Sequence, residues 1–260
     1  MDEIVTECSE GILRVQLNRP EKLNAMTSSM YIRLAEIIDD AARDESIRVV
    51  LWHGTGNAFS AGNDIEDFLK NPPGPGDSPQ AQLMNAFIDF DKPLVAAVHG
   101  AAIGGGTTML LHCDFVYAGE STRFQMPFIN LAVVPEFGSS GILPHTIGHI
   151  RAAELILLGS PFDANRAAEL GLVTKVASDQ DFLAVATETA RHLAAKPSGA
   201  LQASKRLLKR SFRELTTAAM AAENEVFSVQ VRSDEAKAAL AAFIAKHSPA
   251  AGSASKSATA

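Results

Sequence analysis

The chain has 260 residues, enough for one large domain or for a domain with an appendage. Hydrophobic residues make up 47% and charged residues 20%, a globular balance with material for a sizeable core. The formal charge of −7 argues against nonspecific binding to nucleic acid or anionic lipid, although a local basic pocket could still hold a small anion.

Only Cys8 and Cys113 are present, so no disulfide framework is expected and a reducing compartment is the simplest reading. The N-terminus, MDEIVTECSEG, is acidic and resembles neither a signal nor a transit peptide. No apolar run approaches the ~18 residues that span a bilayer, and SATA at the C-terminus is not a peroxisomal address. The expectation is a cytoplasmic protein with no membrane partner.

In chain order, residues 11–18 alternate Leu13, Val15 and Leu17 against Arg14 and Gln16, as a half-buried strand does. NRPEKLNA reads as a loop. Thr27 can cap a helix whose apolar face is Met30, Leu34, Ile37, Ile38 and Ala41. A buried strand follows at 48–54, and FSAGNDIEDF passes from loop to short helix. Residues 71–79, NPPGPGDSP, hold four prolines and two glycines and read as a surface loop. A helix is expected over 80–90, a buried strand at 93–100, a tight turn at 100–106, a helix at 107–113 and a strand at 114–119. Strands and helices in this alternation predict an α/β core. From Asp163 the reading is mostly helical. Asp163 caps ANRAAELG and Gly171 stops it, and helical stripes run over 180–196, 198–212, 214–231 and 233–246. The small, polar tail 247–260 is expected to be disordered.

Three stretches could carry chemistry. GAAIGGG, residues 100–106, is neither GxGxxG nor a phosphate loop, so nucleotide binding is not favoured. Its backbone N–H groups at a helix start could hold an anion formed during reaction. The alternative, and from this stretch alone the favoured one, is a turn that merely lets strand and helix pack closely. FSAGNDI, residues 59–65, could present another N–H, or could be a turn in which Asn63 or Asp64 caps a helix. In VPEFGSS, Glu136 follows an apolar run. A carboxylate entering from the core would have its pKa raised, as a base for a carbon acid requires; the alternative is an exposed turn residue. His145 and His149 lie four apart without a matching carboxylate, and no metal is expected there. No G-x-S-x-G elbow is present.

Taken together and in order, N18-R-P-E-K-L-N-A25, F59-S-A-G-N-D-I65, V98-H-G-A-A-I-G-G-G106, F124-Q-M-P-F128 and V134-P-E-F-G138 resemble the crotonase (enoyl-CoA hydratase/isomerase) superfamily. The likeness runs from about residue 4 to 246. It implies a spiral of ββα units at 1–197, a C-terminal helical region at 198–246 that drives assembly into a trimer or a dimer of trimers, and an acyl-CoA thioester as substrate. No separate cofactor is implied, because coenzyme A arrives as part of the substrate. The resemblance puts the two oxyanion-holding amides on Ala61 and Gly105. Both hydratase glutamates are missing: Thr108 stands where GGGCEL has its acid, and Phe128 where QPE has its own. Glu136 instead resembles the single base in the PEGCSS stretch of delta3-delta2-enoyl-CoA isomerases, which act in fatty-acid β-oxidation. A hydratase using Glu136, or a crotonase-fold acyl-CoA-binding protein without turnover, are the alternatives. The resemblance further implies CoA or substrate contacts at Lys22, Leu23, Ala25, Asp64, Ile65, Phe128, Phe137, Phe243 and Lys246.

Overall fold

The computed structural model describes residues 2–74 and 78–247. The tail expected to be disordered therefore lies outside the described residues, apart from His247, as does the middle of the proline loop.

The alternating segment forms β2 (Ile12–Leu17), which pairs antiparallel with β1 (Ile4–Ser9). β1 was not expected from the sequence. It is an edge strand whose residues after Ile4 are exposed, so it shows no hydrophobic alternation. Helix α1 (Ser28–Arg43) carries the chain over to β3 (Val49–Gly54), parallel to β2. The Thr27 hydroxyl caps α1 by accepting the Met30 N–H, and the predicted apolar face is buried.

After β3 the chain deals its strands to two sheets in turn. β4 (Ala58–Ser60) opens a smaller sheet; α2 (Ile65–Lys70) and α3 (Pro79–Asp89) lead to β5 (Leu94–Val98) in the larger one. β6 (Ala101–Ile103) returns to the smaller sheet, and α4 (Gly105–Thr108) leads to β7 (Phe115–Gly119) in the larger. β8 (Arg123–Gln125) again joins the smaller sheet. Next come α5 (Ser139–Ile147), α6 (His149–Leu158), β9 (Phe162–Asp163), α7 (Ala164–Glu169), β10 (Lys175–Ala177), α8 (Phe182–Ala194), α9 (Ser198–Gln230) and α10 (Asp234–His247). The larger sheet has the order β1-β2-β3-β5-β7-β10 and the smaller β4-β6-β8-β9. Every pairing except β1–β2 and β8–β9 is parallel. The fold is thus a spiral of ββα units with helices at its C-terminal end.

Covered on both faces, β3 and β5 are buried at every position. Val50, Trp52, Leu94 and Ala96 face α1 and α3. Val49, Leu51, Val95 and Ala97 face Ala186, Ala190 and Ala194 of α8, whose short side chains let the helix approach closely.

Some boundaries differ from expectation. The two helices expected at 198–212 and 214–231 are one helix, α9, because no Gly or Pro follows Gly199 to stop it. The turn expected at 100–106 contains β6. The following helix starts at Gly105 and tightens into a 3-10 turn over Met109–His112. Pro144 does not prevent α5, whereas Gly148, at φ +82°, separates it from α6.

Candidate active site

The ends of β4 and β6 build one wall of the site from backbone alone. Gly62 (φ +82°) lies so close to the β6 turn that a Cβ on it would stand 2.5 Å from Ile103 O and 3.3 Å from the Gly105 amide nitrogen. Gly106 is pressed in the same way onto Ser60 O, at 2.5 Å. Only glycine permits this approach.

Met26 donates its N–H to Gly62 O (2.7 Å) and accepts from the Asp64 N–H (2.9 Å). It thereby bonds the residues on either side of Asn63, so the Asn63 N–H points away from it. Among the described residues, neither the Asn63 nor the Gly105 N–H has a protein acceptor. The expected donor at Ala61 is corrected here: its N–H is bonded to Leu23 O at 2.9 Å and is not available. In FSAGNDI the unengaged amide is two residues further on.

The opposite wall is the loop of Glu136. Phe137 is held at φ +60° and Gly138 at +70°, a turn that costs a non-glycine residue about 1–3 kcal/mol unless its surroundings impose it. Three side chains impose it. His112 Nε2 donates to Phe137 O at 2.8 Å. Burial drops the His112 pKa to about 4, so the ring is neutral with its proton on that nitrogen. The Ser139 hydroxyl donates to Glu136 O at 2.7 Å. Glu223, reaching in from α9, accepts the Gly138 and Ser140 N–H groups at 2.7 Å each, at the start of α5 where a helix dipole favours an anion.

Glu136 is buried, 5% exposed. Among the described residues, the hydrogen-bond partner of its carboxyl is Asn63 Nδ2, at 3.5 Å from both oxygens. Burial raises its pKa from 4.5 to about 7; the Asn63 contact opposes this and the Glu223 charge adds to it. A Cβ on Gly105 would stand 3.0 Å from Glu136 Oε1 and 3.0 Å from the Tyr31 hydroxyl, so carboxyl and phenol both close on the Gly105 backbone. Tyr31 is fully buried, and among the described residues neither its hydroxyl nor the Asn63 Oδ1 has a hydrogen-bond partner. Burial, then the Glu136 charge, hold the Tyr31 pKa well above its ordinary value. The corner thus combines a base poised near neutrality with amides that can hold an oxyanion.

At the two hydratase acid positions, Thr108 is buried with its hydroxyl on Gly104 O at 3.3 Å, and Phe128 is buried in an apolar cluster with Phe68 and Phe227. Phe137 packs against Tyr31 and His112.

The residues expected to contact CoA surround the entrance unevenly. Leu23 is exposed and Ala25 is buried, with its carbonyl on Arg19 (2.7 Å). Lys22 is exposed and pairs loosely with Glu66 at 3.6 Å. Asp64 is committed to structure: it caps α2 through the Glu66 and Asp67 N–H groups and pairs with Arg19 at 3.1 Å. Ile65 begins α2 and is half-buried against the Phe68 cluster. Phe243 and Lys246 lie on exposed positions of α10, so this chain alone does not bring them to Glu136.

Tyr31, Asn63, His112 and Glu223 were missed as site residues from the sequence. A signal existed for Glu223, which sits on the apolar stripe of α9 between Met220 and Phe227. Nothing in the sequence distinguished Tyr31 from its apolar neighbours on α1.

Residues 7–253 match the family described as enoyl-CoA hydratase/isomerase. The chain belongs to that family. It is 33% identical over 256 residues to 1,2-epoxyphenylacetyl-CoA isomerase of Escherichia coli K12, covering 96% of this chain and 98% of that one. It is 34% identical over 255 residues to human enoyl-CoA delta isomerase 2, covering 95% of this chain and 64% of that protein. Among solved structures, OdaA of Pseudomonas aeruginosa superposes with a TM-score of 0.91 at 44% identity, covering 94% of this chain and 99% of that one. Crotonase-family membership makes acyl-CoA thioester chemistry the setting of the site.

Proposed function

We propose that this enzyme moves the double bond of a 3-enoyl-CoA to the 2-position, with Glu136 as the single proton carrier. The thioester oxygen sits between the Asn63 and Gly105 N–H groups. Glu136 takes a proton from C2, the dienolate charge rests on the oxygen held by the amides, and the same carboxyl returns the proton at C4. A base with a pKa of about 7 is matched to both halves of that transfer. Neutral amides stabilise the enolate without titrating.

The observation that carries this reading is the single buried carboxyl facing the amide corner, in a family whose hydration chemistry would need acids where Thr108 and Phe128 stand. The printed name of the human relative supports it. Coenzyme A lies along the Lys22–Ala25 loop with Asp64 and Ile65 beside the adenine. Lys22 and Lys246 meet phosphates, and Phe243 and Lys246 come from a neighbouring subunit. The assembly is a homotrimer or a dimer of trimers, supported by apolar side chains left exposed at Ile150, Leu157 and Leu158 on α6 and at Leu207 and Leu208 on α9.

The test is a pair of steady-state rates on 3-hexenoyl-CoA and crotonyl-CoA, with wild type and Glu136→Gln. The isomerase reading expects turnover of the first substrate, abolished in the variant. Faster hydration of crotonyl-CoA than isomerisation would overturn it.

A further inference from the structure

Against Glu136 lies a cavity of about 10 Å³, room for one water molecule. Glu136, Ser78, Gln80, Asn224 and Ser228 line it, with Phe227 among its apolar neighbours. Neither Asn63 nor Gly105 lines it, so Glu136 is the member shared by cavity and amide corner.

The lining has unspent hydrogen-bonding capacity. Gln80 is 6% exposed, and its buried Oε1 has no partner among the described residues. The Ser78 hydroxyl accepts the Ala81 N–H at 3.1 Å and still has its own proton to give. The Glu136 carboxyl meets only the two 3.5 Å contacts from Asn63, which leaves lone pairs unused. A buried amide oxygen left unpaired forfeits its hydration without replacement, so a site of this kind selects a ligand that can donate to it. No cationic side chain lines the cavity among the described residues, which disfavours an anion. Its volume matches one water molecule. Water fits all three conditions, and it also suits the opposite orientation of the Gln80 amide, because it can accept as well as donate.

We propose that one water bound between Gln80 and Glu136 connects the catalytic carboxyl to solvent and exchanges its proton during turnover. The binding of the water stands on the cavity alone; its role as a relay rests on the isomerase reading. Once Glu136 has taken the C2 proton, its neutral O–H donates to this water. The carboxyl and the water swap hydrogens, the carboxyl remains protonated, and the hydrogen then delivered to C4 originates from solvent. No charge is created and no bond to carbon is involved in the exchange.

Two measurements test this. A crystal structure at a resolution that shows solvent is expected to place one peak within hydrogen-bond distance of both the Glu136 carboxyl and the Gln80 amide. In D₂O, wild type acting on 3-hexenoyl-CoA is expected to put deuterium at C4 of the product. Gln80→Leu, which fills the cavity and removes the acceptor, is expected to lower deuterium per turnover at least fivefold, and Ser228→Ala serves if that variant does not fold. Absence of the peak overturns the water site. Equal deuterium per turnover in wild type and a folded variant overturns the relay. A peak in a protein that does not turn over 3-enoyl-CoA overturns the isomerase reading and the relay but leaves the bound water standing.

Discussion

The two walls of the site are held by different means. The amide corner rests mainly on main-chain bonds between strand ends and on two glycines pressed against carbonyls, braced by the Ser60 hydroxyl under the Gly62 N–H and by the Arg19–Asp64 pair. The acid loop rests on side chains brought from far along the chain: His112 is 25 residues from its bond to Phe137, and Glu223 is 83 and 85 residues from the amides it holds. The donors of an anion hole made of backbone are not themselves removed by changing a side chain. A base presented by side chains can be tuned, relocated or lost by single substitutions.

The largest test of this division is Glu136→Gln. It keeps shape and volume but removes the base. The kcat for 3-hexenoyl-CoA should fall by at least about 10³-fold, within the range of positioned proton transfer, while saturated acyl-CoA binds within about threefold of wild type. That split between rate and affinity is the mark of an acid wall that acts only on the reacting carbons. Next in size is the amide wall. Gly62→Ala puts a Cβ against Ile103 O at a φ of +82°, so it strains the backbone as well as crowding it. Thermal or denaturant unfolding should show a loss of about 3 kcal/mol. A loss below about 0.5 kcal/mol would mean that the strand ends are looser than their contacts indicate.

This division also explains what the sequence disclosed. The amide wall was legible as two glycine-bearing stretches, because local turn chemistry leaves local traces. Even so, the assignment slipped by two residues. Whether Ala61 or Asn63 has its N–H free depends on pairing with Leu23 and Met26, some forty residues earlier, and no local pattern records that. Glu136 was legible as a carboxyl in an apolar run. Its supports were not, since His112 and Glu223 reach it only through the tertiary fold. The larger sheet was legible through the unbroken apolar runs of β3 and β5. The smaller sheet was mostly lost, because strands of two or three residues are too short to show a period.

A third test reads the cost of the acid wall in stability. Glu136 has a folded pKa of about 7 against an ordinary 4.5, so between those values the folded protein binds more protons than the unfolded chain. Stability from this group is therefore fully present below about 4.5, declines as pH rises, and is lost above about 7. The shift corresponds to about 3 kcal/mol. A glutamine retains some desolvation cost of its own, so Glu136→Gln should be more stable than wild type by about 2 kcal/mol at pH 8. At pH 4 the two should match. Chemical denaturation at the two pH values checks this, and equal stabilities at pH 8 would remove the claim that burial penalises the ionised base.

The smallest expected effect separates support from tuning within the acid wall. Glu223 both ties down the Gly138–Ser140 turn and lies close enough to push the Glu136 pKa upward. Glu223→Gln keeps one acceptor oxygen and loses the charge. Weakening one of two charge-assisted bonds should cost about tenfold in kcat through a looser loop. Removing the negative neighbour should also move the acidic limb of the kcat/KM profile below pH 7, because Glu136 then ionises more readily. A residue that merely braced the loop would lower kcat and Tm without moving that limb. The pH profile, rather than the rate at one pH, therefore decides whether the second buried carboxylate belongs to the chemistry or to the scaffold. The two roles have opposite consequences below neutrality, where the lower pKa offsets part of the lost rate and a brace alone offsets none.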